Sequence, residues 1–110
     1  MTDNNVVPAQ FVALRDNDAD IVFNGCLLGA IDNEDQADVT GRWIELSLHR
    51  TDGGKFICER ARRTLKPGER DVYEAAVCDT TVEVTAFFGF GRMSKRLFNS
   101  AGLDTTVYIP

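Results

Sequence analysis

The residues of this chain that could take part in nucleophilic or acid–base chemistry are few. His49 is the sole histidine, and histidine can act as a general base near neutral pH. Cys58, on the next predicted strand, would be its nucleophile, but the sequence predicts no orienting group or oxyanion donor beside them. Because a lone strand histidine and a cysteine in an apolar strand are more often structural, we predict a protein that is not an enzyme.

The sequence also predicts no metal ion and no cofactor. Cys26, Cys58 and Cys78 are widely spaced, form no C-x-x-C motif and match no ligand spacing. The run Gly89-Phe90-Gly91 lacks the G-x-G-x-x-G spacing of a phosphate-binding loop, and a break between two helices explains it better. Free cysteines in apolar segments are typical of a reduced, cytoplasmic protein.

Basic residues are concentrated in the middle of the chain. Residues 41–70 carry eight bases and four acids. The densest run comprises Arg60, Arg62, Arg63, Lys66 and Arg70. Together with Trp43 and Phe56, this strip at residues 60–70 could contact phosphates and stack on bases. Three glutamates interrupt the basic segment and the whole chain has a net charge of −5, so nucleic-acid binding is the second hypothesis for function.

Acidic residues are concentrated in the first third of the chain. Residues 1–40 carry eight acids and one base, and seven of the acids lie at residues 16–20 and 32–38. Either this segment neutralises the basic one within the fold, which is the simpler interpretation, or it forms a docking surface for a basic partner.

The most distinctive local pattern predicts a β-hairpin over residues 42–62. Ile44, Leu46 and Leu48 alternate with polar and aromatic residues, as in a strand with two unlike faces. The run Thr51-Asp52-Gly53-Gly54 supplies residues that a tight turn requires. The hairpin is therefore predicted to lie at the centre of a sheet.

The length of the hairpin loop decides which side chains share a face. A loop of two or four residues places Trp43, His49 and Phe56 on the face away from the aliphatic residues, with Arg62 beside Trp43 and Arg60 on the same face. We prefer this register, and these five residues are the predicted partner-binding surface. A three-residue loop would instead bring Phe56 onto the aliphatic face.

Further strands are predicted on both sides of the hairpin, at residues 11–15, 21–31 and 71–78, the last in competition with a helix. Gly25 and Gly29 predict a bulge or bend in the second of these strands. Polar residues 32–41 are predicted to be a mobile loop.

Two short helices are predicted near the C-terminus, at residues 80–88 and 92–101. Thr80 and Glu83 have the spacing of a capping box, and Gly102 has the position of a left-handed C-cap. Residues 105–109 could add an edge strand.

The chain resembles a loose group of small uncharacterised bacterial proteins associated with plasmids and other mobile elements. The resemblance is carried by FNGCLLG, RWIELSLHRTDGGKFICER and ERDVYEAAVCDTTVEV, and it spans roughly residues 21–103. It implies a bacterial protein and favours a regulator or inhibitor of nucleic-acid machinery. It assigns no catalytic or binding residue to this chain.

We therefore predict an α+β fold, with an antiparallel sheet of four to five strands in a meander and one or two C-terminal helices on one face. Residues 1–9 are predicted to be a flexible tail and residues 10–110 a single domain. No apolar run approaches the ~18–20 residues that a membrane span needs. The function expected is binding to another macromolecule, most simply a protein, with homodimerisation through an exposed strand edge or the aromatic face of the hairpin as a further possibility.

Overall fold

A computed structural model describes residues 9–110, so that residues 1–8 of the predicted tail lie outside the described part of the chain. Five strands form one antiparallel sheet in chain order. They are β1 (Gln10–Ala13), β2 (Ile21–Asp32), β3 (Arg42–Thr51), β4 (Phe56–Thr64) and β5 (Val72–Cys78). The predicted α+β fold with an antiparallel meander is confirmed.

Two helices near the C-terminus, α2 (Thr81–Phe88) and α3 (Arg92–Ala101), follow the sheet as predicted. The hydroxyl of Thr80 accepts a hydrogen bond from the Glu83 N–H (3.2 Å), and the Glu83 carboxylate accepts one from the Thr80 N–H (3.3 Å). The capping box therefore satisfies two otherwise unpaired donors at the start of α2. Gly102 ends α3 with a positive φ of 70°.

Two other segments differ from expectation. Residues 32–41, predicted to be a loop, contain a 3₁₀ turn (Glu34–Gln36) and the one-turn helix α1 (Ala37–Thr40), which ends at Gly41. Residues 105–109 form no strand, because their backbone pairs with none of the strands that the structure describes.

The β3–β4 hairpin has the three-residue loop, and the preferred register was wrong. The Thr51 N–H donates to the Lys55 carbonyl (2.8 Å), and Gly54 occupies the left-handed position with a φ of 86°. Leu48 consequently lies opposite Cys58 and not Ile57. This shift of one residue turns the side chain of Phe56 towards the aliphatic face of β3.

The main core lies between the sheet and the two C-terminal helices. Its buried side chains are Leu46, Leu48, Phe56, Cys58, Cys78, Val84, Phe88, Leu97 and Phe98. Gly29 lies at the predicted irregularity in β2, where the register shifts between Leu27 and Gly29. Ala101 of α3 packs so closely there that a Cβ on Gly29 would lie 3.2 Å from it. The missing side chain thus allows α3 to approach the sheet.

The β1–β2 hairpin folds over the other face of the sheet. A second cluster joins Ala13 and Phe23 of this hairpin to Ile57 of β4, although the strand order separates β1 from β4. The bend occurs near Gly25, where a Cβ would lie only 2.1 Å from the carbonyl oxygen of Arg50. Only glycine permits this approach of β2 to the end of β3.

The far end of the same hairpin is attached to β5. Asp16, just after β1, donates its N–H to the carbonyl of Tyr73 (2.9 Å) and accepts the Tyr73 N–H on its carboxylate (2.7 Å). These two bonds link the two ends of the strand order, so the sheet is curled. None of the helices in residues 9–110 has the length and apolar character needed to cross a membrane.

Candidate protein-binding crevice

The five residues predicted to bind a partner do not form one surface. Phe56 lies in the main core with only 5% of its surface exposed. Arg60 lies on the same side of β4, pairs with Glu74 (Nε–Oε1 2.9 Å) and covers the ring of Phe87 at 4.7 Å. Both residues fasten the helices to the sheet, and placing them on the opposite face was an error of register.

Trp43 lies on the face away from the helices, as predicted, and is half-buried. Its indole Nε1 donates to Glu45 Oε2 at 3.0 Å, and the guanidinium above its ring, at 5.9 Å, belongs to Arg63. The predicted neighbour Arg62 instead lies near Glu74 (3.7 Å) on the helix side. The cation over the indole therefore exists, but one residue further along β4.

His49 shares the face of Trp43 but lies six positions along β3, roughly 20 Å away at the usual rise of a strand. It is buried, and its ring contacts Phe11 and Phe23 at 4.5 and 5.2 Å between centroids. Cys58 projects from the opposite face into the main core. Since the sheet separates the two side chains, His49 cannot activate the Cys58 thiol.

The three thiols should differ sharply in reactivity. Cys26 is exposed, whereas Cys58 and Cys78 are buried with their sulfur atoms 3.7 Å apart. Burial raises the pKa of both buried thiols, which removes the reactive thiolate. We expect a maleimide probe to label Cys26 alone in the native protein and all three thiols in denaturant, as counted by mass spectrometry. Native labelling that persists in a Cys26→Ser variant would contradict this arrangement.

Most arginines of the basic strip are already paired with carboxylates. Arg63 lies 3.2 Å from Asp71 and Arg70 lies 3.4 Å from Asp16. At the start of β3, Arg42 binds Glu69 through two hydrogen bonds, which lower the pKa of Glu69 to about 2. The pair of Arg70 with Asp16 joins the acidic and basic segments of the sequence. The other carboxylates that pair with these arginines come from residues 45–79, and not from the acidic first third of the chain. This pairing reduces the positive charge free to contact phosphates.

The folded hairpin leaves part of the sheet uncovered, and a crevice of about 310 Å³ lies there. One wall is formed by Val12 and Leu14, and the floor crosses the other four strands. The polar side chains on this face of the sheet are Asp32, Glu45, Ser47, Glu59, Arg63 and Tyr73, whereas Arg60 and Glu74 border the crevice but turn their side chains towards the helices. The volume is at the lower end of the roughly 300–1,000 Å³ usual for ligand sites, and it suits one or two side chains.

The wall of this crevice is the free edge of β1. The Gly25 N–H donates to the carbonyl of Ala9 (3.2 Å), so Ala9 and Gly25 form a hydrogen-bonded pair of the β1–β2 ladder. Hydrogen-bonded and non-hydrogen-bonded pairs alternate in an antiparallel ladder, so the pair Val12–Val22 is not hydrogen-bonded. The backbone N–H and C=O of Val12 therefore point away from β2, and no backbone hydrogen bond within residues 9–110 involves Leu14, which follows β1 directly. Within residues 9–110, β1 pairs with β2 alone. The crevice thus offers unpaired strand donors and acceptors beside a polar floor.

Two carboxylates on the floor are held by neighbouring side chains. Glu59 Oε1 accepts a hydrogen bond from the Ser47 hydroxyl (3.2 Å) and lies 3.3 Å from Nδ1 of His49. That Nδ1 atom is buried, and no residue in the described range bonds to it. Glu45 is oriented by the indole N–H of Trp43. Both carboxylates therefore have defined positions while remaining partly exposed to the crevice.

An acidic stretch adjoins one end of the crevice. Asp32 belongs to its lining, and three further acids follow on the 3₁₀ turn and α1. The four are Asp32, Glu34, Asp35 and Asp38, and none forms an ion pair with residues 9–110. This end of the molecule therefore presents an unneutralised negative surface.

Sequence reasoning missed Glu59, Val12 and Leu14 as site residues. Glu59 could have been predicted from the alternation of β3 and β4. With a three-residue loop, Glu59 lies opposite Ser47 and on the same face as Glu45. No comparable local signal exists for Val12 and Leu14, which reach the crevice only through the fold of the β1–β2 hairpin. Comparisons with protein-family models, with curated proteins and with solved structures found no match to this chain.

Proposed function

We propose that this protein binds another protein by adding an extended segment of that partner to the free edge of β1. The observation that carries the proposal is the unpaired edge at Val12 and Leu14, which borders the crevice. A strand placed there would gain backbone hydrogen bonds from β1 and side-chain contacts from the floor of the crevice. Recognition would then depend on main-chain pairing, and selectivity on the side chains that face the floor.

The surface around this edge supports a protein ligand. Val12 and Val22 lie directly opposite each other on the outer side of the hairpin, and 55% and 60% of their surfaces are exposed. Leu14 extends the same apolar surface and is 44% exposed. Adjacent exposed aliphatic side chains beside an open strand edge are typical of protein interaction sites.

The experiment replaces one backbone donor. Val12→Pro removes the outward N–H of β1 without removing a hydrogen bond of the β1–β2 ladder, and proline is tolerated at such edge positions. A displayed library of random linear peptides is selected against the wild-type protein, and the affinities of the enriched peptides are measured by fluorescence anisotropy. We expect Val12→Pro to weaken binding at least tenfold, since about 1.4 kcal/mol corresponds to that factor.

Val12→Ala is the matched control, because it shortens the same side chain and keeps the N–H. It should retain most of the affinity, and circular dichroism should show the same fold for both variants. Binding that survives Val12→Pro would overturn the proposal. Self-association that Val12→Pro abolishes, seen by light scattering, would also overturn it, because a second copy would then occupy the edge.

A further inference from the structure

We infer that the bound segment carries a lysine or arginine side chain that enters the crevice and lies against Glu45 and Glu59. This inference rests on the proposed function and specifies the chemistry of the partner. It depends on three features of the crevice: the excess of carboxylates in its lining, the positions of these two glutamates, and the acidic stretch beside them.

The lining of the crevice contains more acids than bases. The acids with side chains on this face are Asp32, Glu45 and Glu59, and the base is Arg63. Arg63 is committed to a pair with Asp71 within the protein. An incoming cation would therefore meet a net negative site, and an incoming carboxylate would be repelled.

The two glutamates are placed to share one cation. Ser47 lies directly opposite Glu59, and Glu45 lies two residues before Ser47 on the same face. The positions of Glu45 and Glu59 are therefore diagonal neighbours, with a usual separation of roughly 7–8 Å between Cα atoms. A guanidinium or ammonium group between them could contact both carboxylates.

Glu59 has spare capacity for such a contact. Its Oε1 accepts from Ser47, whereas no hydrogen bond to its Oε2 comes from residues 9–110. Three-quarters of the side chain is buried, with 25% exposed, so a cation that reached it would be only partly screened by water. Glu45 is also incompletely neutralised, because Arg63 lies 3.6 Å from it while making a shorter contact with Asp71.

The acidic stretch would guide the same kind of partner. Its unpaired carboxylates at residues 32–38 continue directly from Asp32 at the crevice. Long-range attraction of this kind raises the rate of association with a basic segment and falls as salt is added. The partner that fits is therefore an extended peptide with a basic residue at the position facing the floor.

The test uses the peptides enriched on the wild-type protein. We expect them to share a lysine or arginine at one position, and replacing it by glutamine should weaken binding about tenfold, a change of about 1.4 kcal/mol. The protein variant Glu45→Gln/Glu59→Gln should lose this preference for a base while still binding the peptide backbone. The matched control Asp52→Asn/Asp104→Asn removes the same charge from two exposed residues outside both the crevice and the acidic stretch, and it should retain the preference.

The outcomes separate the two proposals. Enriched peptides without a shared base, or a preference that persists in Glu45→Gln/Glu59→Gln, would overturn the inference while leaving strand addition intact. For example, Val12→Pro could abolish peptide binding while Glu45→Gln/Glu59→Gln keeps the preference for a basic residue. Strand addition to β1 would then stand, and the basic-residue inference would fall. If Glu45→Gln/Glu59→Gln fails to fold, a charge exchange replaces it. The protein variant Glu59→Lys is combined with a peptide in which the shared basic residue is replaced by glutamate. Failure of this peptide to bind Glu59→Lys more tightly than it binds the wild-type protein counts against the inference.

Discussion

Replacement of Gly25 by alanine will lower the free energy of unfolding by about 3 kcal/mol, as expected when a tightly packed site is overfilled. The new Cβ would lie 2.1 Å from the carbonyl oxygen of Arg50, and the contacted atoms belong to the backbone. A rotamer change cannot relieve this contact. Either the β2–β3 ladder must open or the bend that folds the β1–β2 hairpin over the sheet must straighten.

Urea denaturation measures the change in stability, and hydrogen exchange shows where it acts. We expect the amides of β1 and the first half of β2 to lose protection before those of β3 and β4. Gly53→Ala is the control, because its nearest neighbour, the Thr51 hydroxyl, lies 3.8 Å away. The control should change stability by less than about 0.5 kcal/mol, and equal losses in both variants would contradict the proposed role of Gly25.

Replacement of Phe98 by alanine will cost about 3–5 kcal/mol, the usual result when a buried aromatic side chain leaves a cavity. Phe98 is 2% exposed and lies edge-on to Phe88, with 6.1 Å between ring centroids. The two rings hold α3 against α2 above the sheet. Thermal unfolding followed by circular dichroism should show a single transition at a much lower temperature.

Phe90→Ala provides the comparison for this effect. Phe90 also contacts Phe98, with 6.2 Å between ring centroids, but 55% of its surface is exposed. Since little of its area is removed from water, the loss should stay near or below about 1 kcal/mol. A loss as large as that of Phe98→Ala would show that the main core extends to the Gly89–Gly91 segment.

The structure also changes how the hairpin can be tested for binding. Alanine at Phe56 would remove a core side chain, so any loss of association could reflect unfolding. Alanine at Trp43 remains informative because the indole is only half-buried and orients Glu45. The residues that test binding most directly are those that line the crevice without supporting either core.

Local patterns were sufficient to predict the five strands and the two C-terminal helices, although they missed α1 and predicted a strand at residues 105–109 that does not form. The alternation in β3, the capping box at Thr80 and the glycine after α3 each depend on interactions within a few residues. The irregularity in β2 was also predictable from its two glycines. Because neighbouring residues dictate these features, a single sequence contains enough information to place them.

The register of the central hairpin could not be decided in the same way. The run Asp52-Gly53-Gly54 is compatible with more than one loop length, and each length gives a different pairing of β3 with β4. The three-residue loop places Phe56 and Cys58 against α2, α3 and β3, where both are buried. Burial of these side chains in the main core supports this register, and that core exists only in the folded protein.

The sequence by itself therefore determined the five strands, the two C-terminal helices and their order, because short-range patterning dictates them. Only the tertiary structure decided that the β1–β2 hairpin folds over the sheet and brings the free edge at Val12 and Leu14 beside Glu45 and Glu59. These residues are distant along the chain, and no local propensity links them. They meet because burying Ala13, Phe23 and Ile57 together favours the bend that Gly25 permits.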